Sequence, residues 1–108
     1  MITVQEMNVT NLTALKLKER KLFKGHTDKI TALAWSGDSS RLLTASMDNS
    51  LIIWDSMSAN KLYTIKMPSR YILCCGYSQS GNLVASGGLD NMCTVCKLTG
   101  LNVEQWLF

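Results

Sequence analysis

Short apolar runs, each closed by a cluster of small and polar residues, set the rhythm of the chain. From Ile30 to Trp35 apolar and polar positions partly alternate until SGDSS interrupts. The pair Leu42-Leu43 then leads to a tight Asp48-Asn49 turn, and LIIW follows at residues 51–54. Alternation of period two and apolar runs of this length, bounded by Ser, Gly, Asp and Asn, predict strands joined by turns. The same order returns at residues 71–77, at Leu83-Val84 and at MCTVC, with SQSGN and a second Asp-Asn between them. A fourth strand is expected in each unit, at residues 61–66 and 103–107. No segment has helical periodicity, so the fold class is all-β.

The two units are copies of one pattern. Displacing the chain by 42 residues lays Ile30 on Ile72, Trp35 on Tyr77, Ser36 on Ser78, Asp48 on Asp90 and Asn49 on Asn91 without a gap. The expected organisation is a leader with a basic strand (residues 1–24), a first repeat (25–66) and a second (67–108). A repeat of this length with four strands, Gly25-His26 near its start and Trp54-Asp55 near its end, is the signature of a propeller blade. The sequence resembles the WD-repeat family. Its second unit is degenerate, with Pro68 at the position of His26, and Cys96 and Lys97 at those of Trp54 and Asp55.

Composition narrows the class further. With 108 residues, 46% apolar and 18% charged, and a single proline, the chain has the make-up of one small globular domain. The formal charge of +3 is mild, but Lys16, Lys18, Arg20, Lys21 and Lys24 are concentrated in the leader. Residues 1–9 lack a basic stretch followed by a long apolar core, and no apolar run is long enough to cross a bilayer. An intracellular, cytoplasmic location is expected, with the sequons at Asn8 and Asn11 as chance matches.

Three chemical readings compete with a structural one. His26, Asp48 and a hydroxyl at Thr44 or Ser46 suggest a hydrolytic triad. A triad needs an exposed nucleophile on a strained turn, whereas Thr44 lies within an apolar strand and no Gly-x-Ser-x-Gly elbow is present. Cys93 and Cys96 form a Cys-x-x-Cys, with Cys74 and Cys75 available as further zinc ligands. Both pairs fall in predicted strands, where residues one or three apart point to opposite faces. Buried, reduced cysteines are therefore expected, with no metal. The basic leader partly alternates, Leu15 and Leu17 against Lys16, Lys18 and Arg20, as a strand with a solvated face would. It lacks the interleaved aromatics of a nucleic-acid surface.

Within the WD-repeat class, RLLTASMDNSLIIWDSMSANK and SGNLVASGGLDNMCTV resemble the first two blades of heterotrimeric G-protein β subunits, over roughly residues 20–98. In the WD family a buried chain of hydrogen bonds links the residues that fall here on His26, Thr44, Asp48 and Trp54. The resemblance implies a seven-bladed propeller of antiparallel four-stranded blades, closed by pairing the strand ahead of the first blade, here about 18–23, with the last blade. It implies no catalysis and no cofactor. Its partners would be a G-protein α subunit and effectors, with the membrane's inner face reached only through them. Positions that meet the α subunit fall on Lys29, Thr31, Ser50, Ile52, Lys61, Tyr71, Leu73, Leu89 and Asn91. Four of these depart from the family's aromatic, lysine, tryptophan and methionine, at Thr31, Ser50, Tyr71 and Leu73 respectively. A γ subunit is not carried over, because the coiled-coil helix that holds it is mostly absent before the basic strand. After Leu98 the chain reads TGLNVEQWLF instead of opening a third repeat, so the expected object is two blades of an incomplete ring. A truncated product without independent activity, or a generic WD-repeat interaction module, is the alternative.

Overall fold

The computed structural model describes residues 18, 20–68, 71–100 and 102–108; the sequons, Leu15, Lys16 and Leu17 lie outside the described residues. Eight strands follow in chain order: β1 (Ile30–Trp35), β2 (Arg41–Ser46), β3 (Ser50–Asp55), β4 (Lys61–Lys66), β5 (Ile72–Tyr77), β6 (Leu83–Gly88), β7 (Cys93–Thr99) and β8 (Asn102–Leu107). They form two antiparallel sheets in which each strand pairs with its sequence neighbours, β1-β2-β3-β4 and β5-β6-β7-β8.

The repeat seen in sequence is a repeat in space. Leu43 pairs with Ile53 across β2 and β3, and Ala85 with Val95 at the equivalent place in the second sheet. The tight turns match too, with Asn49 at φ 70° and Asn91 at φ 65°. Asparagine tolerates this left-handed conformation better than most residues. Register slips between Ile30 and Ala32 in β1, and between Ile72 and Cys74 in β5. Such a bulge re-aims the extra residue. In β1 that residue is Thr31, whose hydroxyl donates to the Ile72 carbonyl at 2.5 Å and ties the innermost strands together.

The main core lies between the sheets. Leu43, Ala45, Leu51, Ile53 and Ile65 of the first sheet bury against Ile72, Val84, Cys96 and Leu98 of the second. A second cluster, Leu42, Ile52 and Trp54 with Phe23, occupies the opposite face of the first sheet. The unbroken apolar run of β3 has this cause: both its faces are covered. At the outer strands Tyr63 Oη donates to the Gly100 carbonyl (2.5 Å) and Gln105 Nε2 to the Lys66 carbonyl (3.2 Å).

One expected element is not formed. Residues 20–26 carry no strand, although a basic strand was expected at 18–23. A strand is a pairing rather than a local conformation, and among the described residues no strand lies alongside this stretch to complete a ladder. What fixes it instead is a side chain, Phe23, set edge-on to the Trp54 indole with ring centroids 5.5 Å apart.

Candidate functional site

The polar residues singled out in the first repeat meet on the outward face of the first sheet. Thr44 is carried by β2 and Trp54 by β3, Asp48 sits in the turn between those strands, and His26 arrives on the segment ahead of β1. His26 Nδ1 lies 3.0 Å from Asp48 Oδ2, His26 Nε2 lies 2.6 Å from Thr44 Oγ1, and Trp54 Nε1 donates to Thr44 Oγ1 at 2.8 Å. These partners assign the imidazole tautomer. The carboxylate only accepts, so Nδ1 carries the proton; Nε2 then accepts from the Thr44 hydroxyl, which accepts in turn from the indole. The side chains of His26 and Asp48 are 3% and 8% exposed.

Asp48 holds more partners than sequence reasoning assigned to it. Its Oδ2 also accepts the Thr27 amide at 2.9 Å, and its Oδ1 accepts both the amide and the hydroxyl of Ser50, at 3.0 and 2.5 Å. Burial opposes the charge, but these bonds outweigh it: the Ser50 hydroxyl, the Thr27 amide, the His26 ring and the Ser50 amide hold the carboxyl well below the usual range. Ser50 was read only as a surface position, yet it is a buried member of this network. Its spacing two residues after an aspartate in a tight turn is the signal that could have placed it there.

This arrangement supplies a clasp and not a reactive centre. Thr44 is buried, and its oxygen is enclosed between an indole N–H and an imidazole. Ser46 is also fully buried, its hydroxyl donating to the Asp28 carbonyl and accepting the Asp48 amide. Neither hydroxyl is open to a substrate. The second repeat has no such clasp. Ser86 and Cys96 are buried at the positions of Thr44 and Trp54, but Pro68 has no imidazole and exposed Asp90 only caps the Met92 amide.

The cysteines depart from the expected pattern. Cys96 is buried and Cys75 partly so, whereas Cys74 and Cys93 are exposed. Both exposed residues pair in register with Gly87, one from each side, so they share the outward face of the second sheet. The sequence reading placed all four inside because it did not distinguish the covered face of β5 and β7 from the open one. Among the described residues no group of three or more His, Cys, Asp or Glu side chains could hold a metal ion.

The nine surface positions separate into four groups. Ile52 is 1% exposed, inside the cluster with Leu42, Trp54 and Phe23, and cannot belong to a surface patch. Ser50 and Thr31 are held in internal hydrogen bonds. Lys61 opens β4, at the opposite end of the sheet from Ser50. Lys29, Tyr71, Leu73, Leu89 and Asn91 all lie at the end where β1 and β5 begin and β6 turns into β7. Tyr71, Leu73 and Leu89 are 41%, 52% and 62% exposed. Leu73 is the bulged residue of β5, so the bulge turns it out to solvent instead of into the core.

Comparison with known proteins agrees with this geometry. The sequence pattern described as WD domain, G-beta repeat matches residues 17–55 and 59–96. The chain is 40% identical over 91 residues to guanine nucleotide-binding protein subunit beta-1 of Caenorhabditis briggsae; the match takes in 84% of this chain and 27% of that protein. Among solved structures, the WD40 repeats of RRP9 superpose with a TM-score of 0.72 at 26% identity, covering 82% of this chain and 28% of that one. U3-55K gives a TM-score of 0.72 at 28% identity with the same coverage. The Cps50 (Swd1) β-propeller domain of Myceliophteria thermophila, at 17% identity and a TM-score of 0.71, shares the fold over 80% of this chain and 27% of its own. The chain spans between a quarter and a third of the length of these relatives. The sequence repeats also straddle the sheets, since 17–55 joins the leader to β1–β3 and 59–96 joins β4 to β5–β7. Two unclosed four-stranded antiparallel blades, a buried His-Thr-Asp-Trp clasp and these matches together place the chain in the WD-repeat family, among proteins similar to G-protein β subunits.

Proposed function

We propose that this chain is a G-protein β-like interaction module that binds a G-protein α subunit or its effectors through one end of its blades and performs no catalysis of its own. The observation that carries this reading is the group of exposed apolar side chains at that end, Tyr71, Leu73 and Leu89, beside Lys29 and Asn91. A few large anchors with a polar rim is the usual anatomy of a protein interface. The kinship with subunit beta-1 supports the choice of partner. In this reading the module acts in the cytoplasm and reaches a membrane only through its partners.

Tyr71 has a further property that suits the role. Its φ is 59°, in the left-handed region, which is unusual for a bulky aromatic residue and is commonest where local strain serves a site. The test is titration of the purified chain with a GDP-loaded α subunit by calorimetry. Binding that the Tyr71→Ala/Leu89→Ala double variant weakens by roughly tenfold or more supports the proposal. No binding by the parent chain, or equal binding by the variant, defeats it.

A further inference from the structure

Both blades begin with the same irregularity, and it leaves unlike residues at equivalent places. The extra residue of β1 is Thr31 and that of β5 is Leu73, 42 positions further on. A bulge releases a side chain from the alternation of its strand and aims it anew. Leu73 turns out to solvent and is 52% exposed. Thr31 turns the other way, toward the second sheet. Its hydroxyl has one proton to donate, and of the two carbonyls within reach that of Ile72, at 2.5 Å, is closer than that of Ala45, at 3.3 Å.

The place of this acceptor in the chain gives the bond its effect. The Ile72 carbonyl belongs to the planar peptide that joins Ile72 to Leu73, so holding its oxygen fixes the direction in which Leu73 leaves the strand. The Ile72 side chain is locked as well, 1% exposed within the core between the sheets. On the other side of Ile72 stands Tyr71, with φ 59°. A bulky residue keeps that conformation only where its surroundings over-determine it. Ile72 is thus a fixed post between the two anchors, gripped by the core through its side chain and by Thr31 through its carbonyl. The register slips at this point, between the pairs Ile72-Gly88 and Cys74-Gly87. Where a bulge disrupts the ladder, a bond from outside the sheet contributes more to local order than it would in regular pairing.

We propose that Thr31 is a positioning residue for the partner surface: its hydroxyl, carried by the first blade, sets Tyr71 and Leu73 of the second blade in the orientation in which they dock. This role rests on the reading of that surface as the site for a G-protein α subunit, and it gives Thr31 a part there without contact with the partner. It also makes the site a property of two blades joined, since the donor stands on one and the anchors on the other. What position 31 requires is a hydroxyl.

The test repeats the titration of the whole chain with a GDP-loaded α subunit on two variants. Thr31→Val keeps the shape and removes the donor; Thr31→Ser keeps the donor. Thr31→Val should bind about two- to tenfold more weakly, and Thr31→Ser within about twofold of the parent. In a chain that already carries Leu73→Ala, Thr31→Val should cost less affinity than it does alone, because one of the side chains it positions is gone. Deuterium exchange of the free chain supplies a readout that needs no partner. Amides at residues 71–74 should exchange several-fold faster in Thr31→Val while those of β3 keep their rates, a local loosening that a general loss of stability would not produce. Unchanged exchange at residues 71–74, an equal cost of Thr31→Val with and without Leu73→Ala, or a Thr31→Ser variant no better than Thr31→Val would overturn the proposal. If the parent chain binds no α subunit, the functional reading fails by itself, and the exchange rates alone decide whether Thr31 holds these residues in place.

Discussion

Thr44 is the pivot of the clasp, because its single oxygen serves both Trp54 and His26. Thr44→Val keeps the shape and removes the hydroxyl, leaving a buried indole N–H and a buried imidazole nitrogen unpaired. A loss of about 2 kcal/mol is expected in urea denaturation, with Thr44→Ser recovering most of it. Asp48 makes the same network sensitive to acid. Its folded carboxyl binds a proton less readily than an unfolded one, so the stability it contributes is whole above the ordinary carboxylate pKa, about 3.9. That contribution drains away as pH falls from there toward the lowered value. The parent chain should lose stability more steeply below about pH 4 than Asp48→Asn, which has no charge to lose; parallel profiles would refute this role. The thiols should divide into two classes. Burial pushes Cys96 up to about 11, and burial with the neighbouring Cys74 does the same to Cys75. Exposed Cys74 and Cys93 should therefore consume a disulfide reagent at mild pH well before the other two.

At the scale of elements, two glycines show how closely the parts approach. A Cβ on Gly37 would stand 2.9 Å from the Gln79 carbonyl oxygen, so the β1–β2 and β5–β6 turns meet at backbone distance. Gly37→Ala should cost about 1–3 kcal/mol by forcing the turns apart. At Gly25 a Cβ would meet the tip of Lys61, a flexible group that can swing aside, and the edge of the Trp54 indole at 3.0 Å, but no backbone; the effect there should be smaller. A reversed ranking in denaturation would show that the turn contact is not needed. Most of the strands were legible because alternation and turn residues are local signals, and β1 and β4 coincide with the predicted limits. The basic strand was not legible in the same sense, since its formation depends on a neighbour. Ile52 was mistaken for surface although its place in the run LIIW indicates cover on both faces. The bulge that exposes Leu73 leaves no mark in the sequence, and neither does the open face that holds Cys74 and Cys93.

At the scale of the whole molecule, the described residues form two four-stranded sheets. They are joined by one apolar interface and by hydrogen bonds at its inner and outer margins. Since that interface also covers β2 and β3, overpacking it should destabilise both sheets. Ala45→Leu, at a fully buried position in the interface, should lower the unfolding temperature and broaden the transition if the sheets lose their coupling. A sharp, unshifted transition would show that the sheets do not depend on each other.

The clasp is present in one blade and missing from the other, and that difference sets an order of events in time. The outer strands β7 and β8 have no imidazole stitching them to a preceding segment, so their amides should exchange with deuterium through brief local openings while β2 and β3 still hold their protons. A protease added under native conditions should find its first cut in the turn at residues 89–92 and not in its counterpart at 47–49, where the chain is held on both sides of the aspartate. The molecule would come apart from its second blade inward, and the single histidine would determine how long the first blade outlasts it.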